Sequence, residues 1–161
     1  MEDISYKCAV DAQDVEDVRR LFNAYKDWLG LDLTFQGFDK EVNSLPGQYG
    51  RPHGAIVLAR RASGTAVGCV ALRPCSIGVE TCEMKRLYVS PDGRRLGMGR
   101  RLIEEIVRIA VEAGYRRMCL DTLSHMHGAI SLYRQTGFVQ IDSYYDTPLR
   151  DTMFFAKDLS S

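Results

Sequence analysis

The sequence predicts an α/β protein, a mixed β-sheet flanked by helices. Strand-like apolar runs fill most of residues 55–89, and helical and strand patterns then alternate along the rest of the chain. A Ser63-Gly64 turn joins two of those runs as a hairpin. A basic, glycine-containing loop lies between the third run and the longest helical pattern. The order is one helical region, three strands, helix, strand, helix and two strands, which calls for a sheet of mixed direction.

Each element has its own signal. Residues 14–29 read as an amphipathic helix, with Val15, Val18, Leu21, Phe22, Tyr25, Trp28 and Leu29 at three- and four-residue steps. Asp14 is placed to cap its start and Gly30 to end it. A short helix fits residues 38–45, before Pro46, Gly47, Gly50 and Pro52 break the pattern. Strands are expected over 55–61, 66–73 and 82–89, and a long helix runs to about Ala113. A short strand at 118–120, a helix over 126–135 and strands at 138–144 and 152–157 complete the chain.

Bulk properties narrow the function. A length of 161 residues fits one domain with a core of its own. Lys plus Arg and Asp plus Glu are each 21, so the formal net charge is zero, and no general nucleic-acid partner is expected. No run approaches the ~20 apolar residues of a membrane span, and no signal peptide is evident. Five cysteines, an odd number without a CxxC pair, fall mostly in strand-like text. Packed, reduced thiols of a cytoplasmic protein are expected rather than a disulfide framework.

The loop Arg94-Arg95-Leu96-Gly97-Met98-Gly99-Arg100-Arg101 reads as an anion site. The first N–H groups of a helix lack internal partners, and the helix dipole is positive there. Gly97 and Gly99 remove side chains, so a phosphate can approach the backbone. A Walker A loop would need Gly-Lys-Ser/Thr, and Gly99 is followed by two arginines. A dinucleotide fingerprint would need a third glycine where Leu102 stands, with Asp121 as its ribose acid. The spacing of Arg94, Gly97 and Gly99 matches in full the Gln/Arg-x-x-Gly-x-Gly/Ala pyrophosphate loop of CoA-binding acetyltransferases.

That loop has company. Glu83-Met84-Lys85-Arg86-Leu87-Tyr88-Val89, then Pro91 and the glycine loop, resembles the central motif of the GNAT acetyltransferase superfamily. Ala129-x-x-Leu132-Tyr133-x-x-x-Gly137-Phe138 is similar to its second motif, at the family's spacing. The resemblance covers the chain from about Ala55 onward. It implies the GNAT-type acyl-CoA N-acyltransferase fold, with acetyl-CoA as co-substrate. It implies that the strand ending at Leu87, Tyr88 and Val89 splays from its neighbour and hydrogen-bonds the pantetheine arm. It further implies that Arg94, Arg95, Leu96, Gly97, Met98, Gly99 and Arg100 surround the pyrophosphate. Met126 stands where many members carry an Asn, and it offers packing in place of a hydrogen bond.

Amine acetylation needs a base, because a lysine-like ammonium has a pKa near ~10.4. It also needs a donor for the developing oxyanion and a proton for the leaving thiolate. Glu83 is the candidate base, on the strand that would carry the acetyl group. Strict alternation places Glu83, Lys85, Leu87 and Val89 on one face and Met84, Arg86 and Tyr88 on the other. Tyr133 is the candidate acid, and the N–H of Leu87 or Val89 the oxyanion donor. His125 and His127 are two apart without a clear third ligand, so no metal is expected.

The acceptor, an amine of a small molecule or peptide, is expected between the 31–49 segment and the 144–151 loop. The first carries Asp32, Phe35, Gln36, Asp39 and Tyr49; the second carries Tyr144, Tyr145, Asp146 and Asp151. Acids and aromatics suit a cationic amine. Two rival readings stand beside the enzyme: an acyl-CoA-binding module without turnover, and a nicotinamide-dependent oxidoreductase using Asp121. A homodimer is compatible with the sequence.

Overall fold

The computed structural model describes residues 3–33, 36–94 and 96–160. Arg95 and Phe35, both named above, lie outside those residues. Among the described residues the sheet has seven strands: β1 (Ser5–Cys8), β2 (Ala55–Arg60), β3 (Ala66–Pro74), β4 (Thr81–Val89), β5 (Arg117–Leu123), β6 (Val139–Ile141) and β7 (Thr152–Asp158). Their order is β1-β2-β3-β4-β5-β7-β6. Only β4 and β5 run parallel to each other; the remaining neighbours are antiparallel. The sequence reading had no strand at β1. Four residues of mixed polarity at a sheet edge carry little periodic signal.

Helix α1 (Ala12–Leu29) follows the expected apolar stripe, burying Val18, Leu21 and Phe22. Its cap differs from expectation. Asp11 is the N-cap and accepts from the Asp14 N–H at 2.8 Å, while Asp14 reaches back to the N–H groups of Val10 and Asp11. Asp14 is therefore the far member of a capping box. Helix α2 (Phe38–Asn43) packs beside α1 and buries Phe38 and Val42. These two cover one face of the sheet over Ile56, Leu58, Cys69, Ala71 and Tyr88. Helices α3 (Met98–Glu112) and α4 (His127–Gln135) cover the other over Val57, Val70, Cys82, Met84, Leu120 and Phe155. Cys69, Cys82 and Cys119 are buried, free thiols.

Two departures from regular pairing position the site. The first is a β-bulge in β4. Cys69 pairs with Tyr88 and Ala71 with Lys85, so Val70 alone faces both Arg86 and Leu87. Arg86 takes a left-handed backbone, φ 61°, which is costly for a residue with a side chain. The bulge corrects the expected alternation. Tyr88 packs under α1, and Arg86 reaches Glu41 of α2. Leu87 and Val89 pack with Cys82 and Met84 toward α3. Glu83 and Lys85 therefore share a side with Arg86 and Tyr88, not with Leu87 and Val89.

The second departure is a splay. β4 and β5 pair only from Thr81, Cys82 and Glu83 to Arg117, Met118 and Cys119. Beyond Glu83, β4 stays with β3 and β5 stays with β7. The Ser90 N–H donates to Val67 O at 2.8 Å, so Val89 occupies a non-hydrogen-bonded position of the β3–β4 ladder. Its own N–H and C=O face the gap toward β5.

Candidate active site

The gap opens into a cavity of about 480 Å³ between β4, β5, α1, α3 and α4. Its walls bring together Leu87, Tyr88, Val89, Arg94, Gly97, Met98, Gly99, Arg100, Met126 and Tyr133. Leu96 is exposed and does not line it.

The glycine loop is built from three different local causes. Gly97 caps α3 with φ 73°, and a side chain there would have open space but a strained backbone. Its carbonyl accepts the first helical bond, from Arg101 N–H at 3.2 Å. The N–H groups of Met98, Gly99 and Arg100 precede that bond and supply the orphan donors. Gly99 has a packing role that the sequence did not show. A Cβ there would lie 3.0 Å from Leu132 Cδ1, so this glycine also admits α4 against α3. Met98 is buried at 1% exposure and anchors the loop in the core.

Arg94 folds inward. Its Nε donates to Val89 O at 2.9 Å, and its guanidinium stacks 5.2 Å over Trp28 and 5.8 Å over Tyr88. It ties α1 to the end of β4. Arg100 instead remains half exposed beside Glu104.

Tyr133 is buried against Phe138 and Phe155. Among the described residues its hydroxyl has no hydrogen-bond partner. Burial, then Tyr25 and Asp121, raise its pKa well above the usual phenol value. Met126, by contrast, turns its sulfur to Thr122 Oγ1 at 3.7 Å.

Glu83 lies elsewhere. It lines a neighbouring cavity of about 400 Å³ with Gln48, Arg73, Cys75, Tyr144 and Asp146. Arg73 donates to its Oε1 from Nε and Nη2, each at 2.8 Å, and Tyr144 donates to Oε2 at 2.7 Å. Gln36, Lys85 and Tyr145 line both cavities and form the wall between them. Asp121 reaches that wall from β5, accepting from Tyr145 Oη at 2.9 Å. Of the acceptor candidates, Gln36, Tyr144, Tyr145 and Asp146 face these cavities. Tyr49 is instead buried on Glu41, and Asp151 pairs with His125 on the surface. The sequence reading did not single out Lys85 or Arg73, and it named Asp121 only as the ribose acid of the rival oxidoreductase. Their signal was a charged residue inside an apolar strand.

A family model described as the acetyltransferase (GNAT) family matches residues 16–138. An uncharacterised N-acetyltransferase of Schizosaccharomyces pombe is 40% identical over 148 residues, spanning 92% of this chain and 90% of that protein. An acetyltransferase of the GNAT family from Staphylococcus aureus superposes with a TM-score of 0.80 at 17% identity, over 98% of this chain and 99% of that one. The PaiA N-acetyltransferase of Thermoplasma acidophilum, solved in complex with coenzyme A, gives 0.74 at 18% identity, over 97% and 99%. At those identities the two structures speak for the fold.

Proposed function

Because the chain belongs to the acetyltransferase (GNAT) family, we propose that it transfers an acetyl group from acetyl-CoA directly to a primary amine of a small molecule or protein. The observation that carries this reading is the splay of β4 from β5, which leaves a polar strand edge along an apolar cavity that ends at the N-terminus of α3. The residues fit such a ligand. Orphan N–H groups at Met98, Gly99 and Arg100 suit a pyrophosphate. The backbone edge of Leu87 and Val89 suits the amide-bearing arm. When bound, acetyl-CoA supplies a thioester carbonyl open to attack.

The chain's own residues then have defined tasks. The Leu87 or Val89 N–H donates to the oxyanion. Tyr133 keeps its proton through neutral pH and lies in the same cavity, ready to protonate the leaving sulfur. Glu83 takes the amine proton, through a water across the Gln36, Lys85 and Tyr145 wall. One observation favours a second reading of the base. Asp121 lines the same cavity as Tyr133, whereas Glu83 lines the next one. Glu83→Gln and Asp121→Asn, assayed side by side, separate the two. The buried free thiols support the cytoplasm as the setting. Among the described residues no helix is long and apolar enough to cross a membrane.

Calorimetric titration with acetyl-CoA, beside NADH and ATP, tests the cofactor. Binding of acetyl-CoA alone is expected, followed by CoA release with an amine panel. Folded protein that ignores acetyl-CoA sinks the proposal, and NADH binding revives the oxidoreductase.

A further inference from the structure

Lys85 is a buried ammonium whose partners are already taken. It is 7% exposed and lines both cavities. Its Nζ meets Gln36 Oε1 and Asp121 Oδ2, each only at 3.5 Å. Both oxygens accept shorter bonds from elsewhere: Arg86 Nη1 reaches Gln36 Oε1 at 3.0 Å, and Tyr145 Oη reaches Asp121 Oδ2 at 2.9 Å. An ammonium has three protons to place, and burial makes poor placement costly.

Four charges beside the wall are closed on one another. Arg73 is matched to Glu83, and Arg86 to both oxygens of Glu41. Lys85 and Asp121 are left as a loose pair of opposite sign. Asp121 Oδ1 has no hydrogen bond among the described residues. A ligand that is neutral overall but carries both charges a few ångströms apart would answer this pair. A cation alone would leave Lys85 unanswered, and an anion alone would leave Asp121 Oδ1 unanswered.

We infer that the acceptor is a free α-amino acid, its carboxylate held by Lys85 Nζ and its ammonium by Asp121, with its side chain in the cavity lined by Gln48, Ile77 and Tyr144. The inference rests on the acetyl-transfer reading above. In the reaction an N–C bond forms and the thioester C–S bond breaks. The ammonium gives up two protons; one ends on the CoA thiol and the other leaves to solvent. The N-acetylated product has lost the positive charge that Asp121 held, which favours its release.

The test pairs L-amino acids of differing side chain with their decarboxylated amines. Saturation-transfer NMR on the whole protein, with and without CoA, reads acceptor binding; CoA release reads turnover. Amino acids are expected to saturate where the matched amines do not, and to exceed them in kcat/KM. Lys85→Met should lower that acid-to-amine ratio about 10-fold or more. Lys85→Gln should move it in the same direction, which guards against a folding artefact of one variant. Equal saturation by acids and amines, or a ratio that Lys85→Met leaves unchanged, overturns the inference. Absence of acetyl-CoA binding overturns the parent reading instead, and the NMR arm still decides this one, because it needs no acetyl-CoA.

Discussion

Tyr144 donates its hydroxyl to Glu83 at 2.7 Å, bridging 61 residues of chain and joining the loop before β7 to the middle strand of the sheet. The next residue, Tyr145, does the same to Asp121 at 2.9 Å. Two consecutive tyrosines thus hold two carboxylates that flank the splay. Burial first, and Glu83 second, push the Tyr144 phenol far above its usual range, so the phenol keeps its proton and remains the donor.

If Glu83 is the base, Glu83→Gln should lower kcat/KM by about 100-fold, the usual scale of general-base loss. Acetyl-CoA affinity, read by calorimetry, should hold. A drop of that size in Asp121→Asn with little change in Glu83→Gln transfers the role to Asp121.

Tyr133→Phe should cut kcat by roughly 10- to 100-fold while acetyl-CoA still binds. The folded-state pKa of Tyr133 is raised, so its proton stays on below pH ~10. The pH–rate profile of the wild type should therefore show no falling limb from this residue between pH 7 and 9.5. Phe at this position with an unaltered rate would leave Tyr133 a packing residue.

Gly99→Val should lower both Tm and acetyl-CoA affinity, because the new Cβ starts 3.0 Å from Leu132 Cδ1. Overpacking of this sort costs about 1–3 kcal/mol. Leu132→Ala in the same chain should restore part of both. Gly97→Ala should instead cost about 1 kcal/mol through its left-handed backbone, and Leu132→Ala should not rescue it.

Arg86→Met should destabilise by about 3 kcal/mol or more, since it leaves Glu41 without its doubly bonded partner. Chemical denaturation reads the loss. Pairing it with Glu41→Gln should recover much of it, as expected when the cost lies in an orphaned charge rather than in the bulge.

Asp14 links stability to acid. Bonds from the Val10 N–H, then Arg60 and the Asp11 N–H, outweigh its desolvation and hold its folded pKa below the ordinary ~3.9. A depressed folded pKa contributes stability that is complete above the unfolded value and is lost as pH falls through the folded one. Asp14→Asn should thus cost about 1 kcal/mol at pH 7 and progressively less below pH 4. Equal cost at pH 7 and pH 3 in urea melts would contradict this.

How much was legible beforehand differed by kind of feature. The helices of residues 12–29 and 98–112 repeat apolar residues at helical steps, and the strands from 55 to 89 are long apolar runs, so local text was enough. The glycine loop and Tyr133 were legible as spaced motifs. The bulge at Arg86 was not, because one extra residue leaves no mark on composition; only the register with Val70 reveals it. Lys85, Asp121 and the two tyrosines come from three distant segments, and their meeting depends on which strands lie side by side. The Asp14 cap was misjudged by one turn because a capping box places an acid at both ends.

The bulge lets β4 carry one residue more than its partner strand while its far end keeps both faces correctly turned. Flattening it with Arg86 retained would slip the register by one residue and turn everything after it over. Tyr88 would leave α1, and Leu87 and Val89 would swap the α3 layer for the opposite one. Deleting Arg86 would instead leave Leu87, Tyr88 and Val89 on their present sides, and the loss would fall on Glu41, its ion-pair partner.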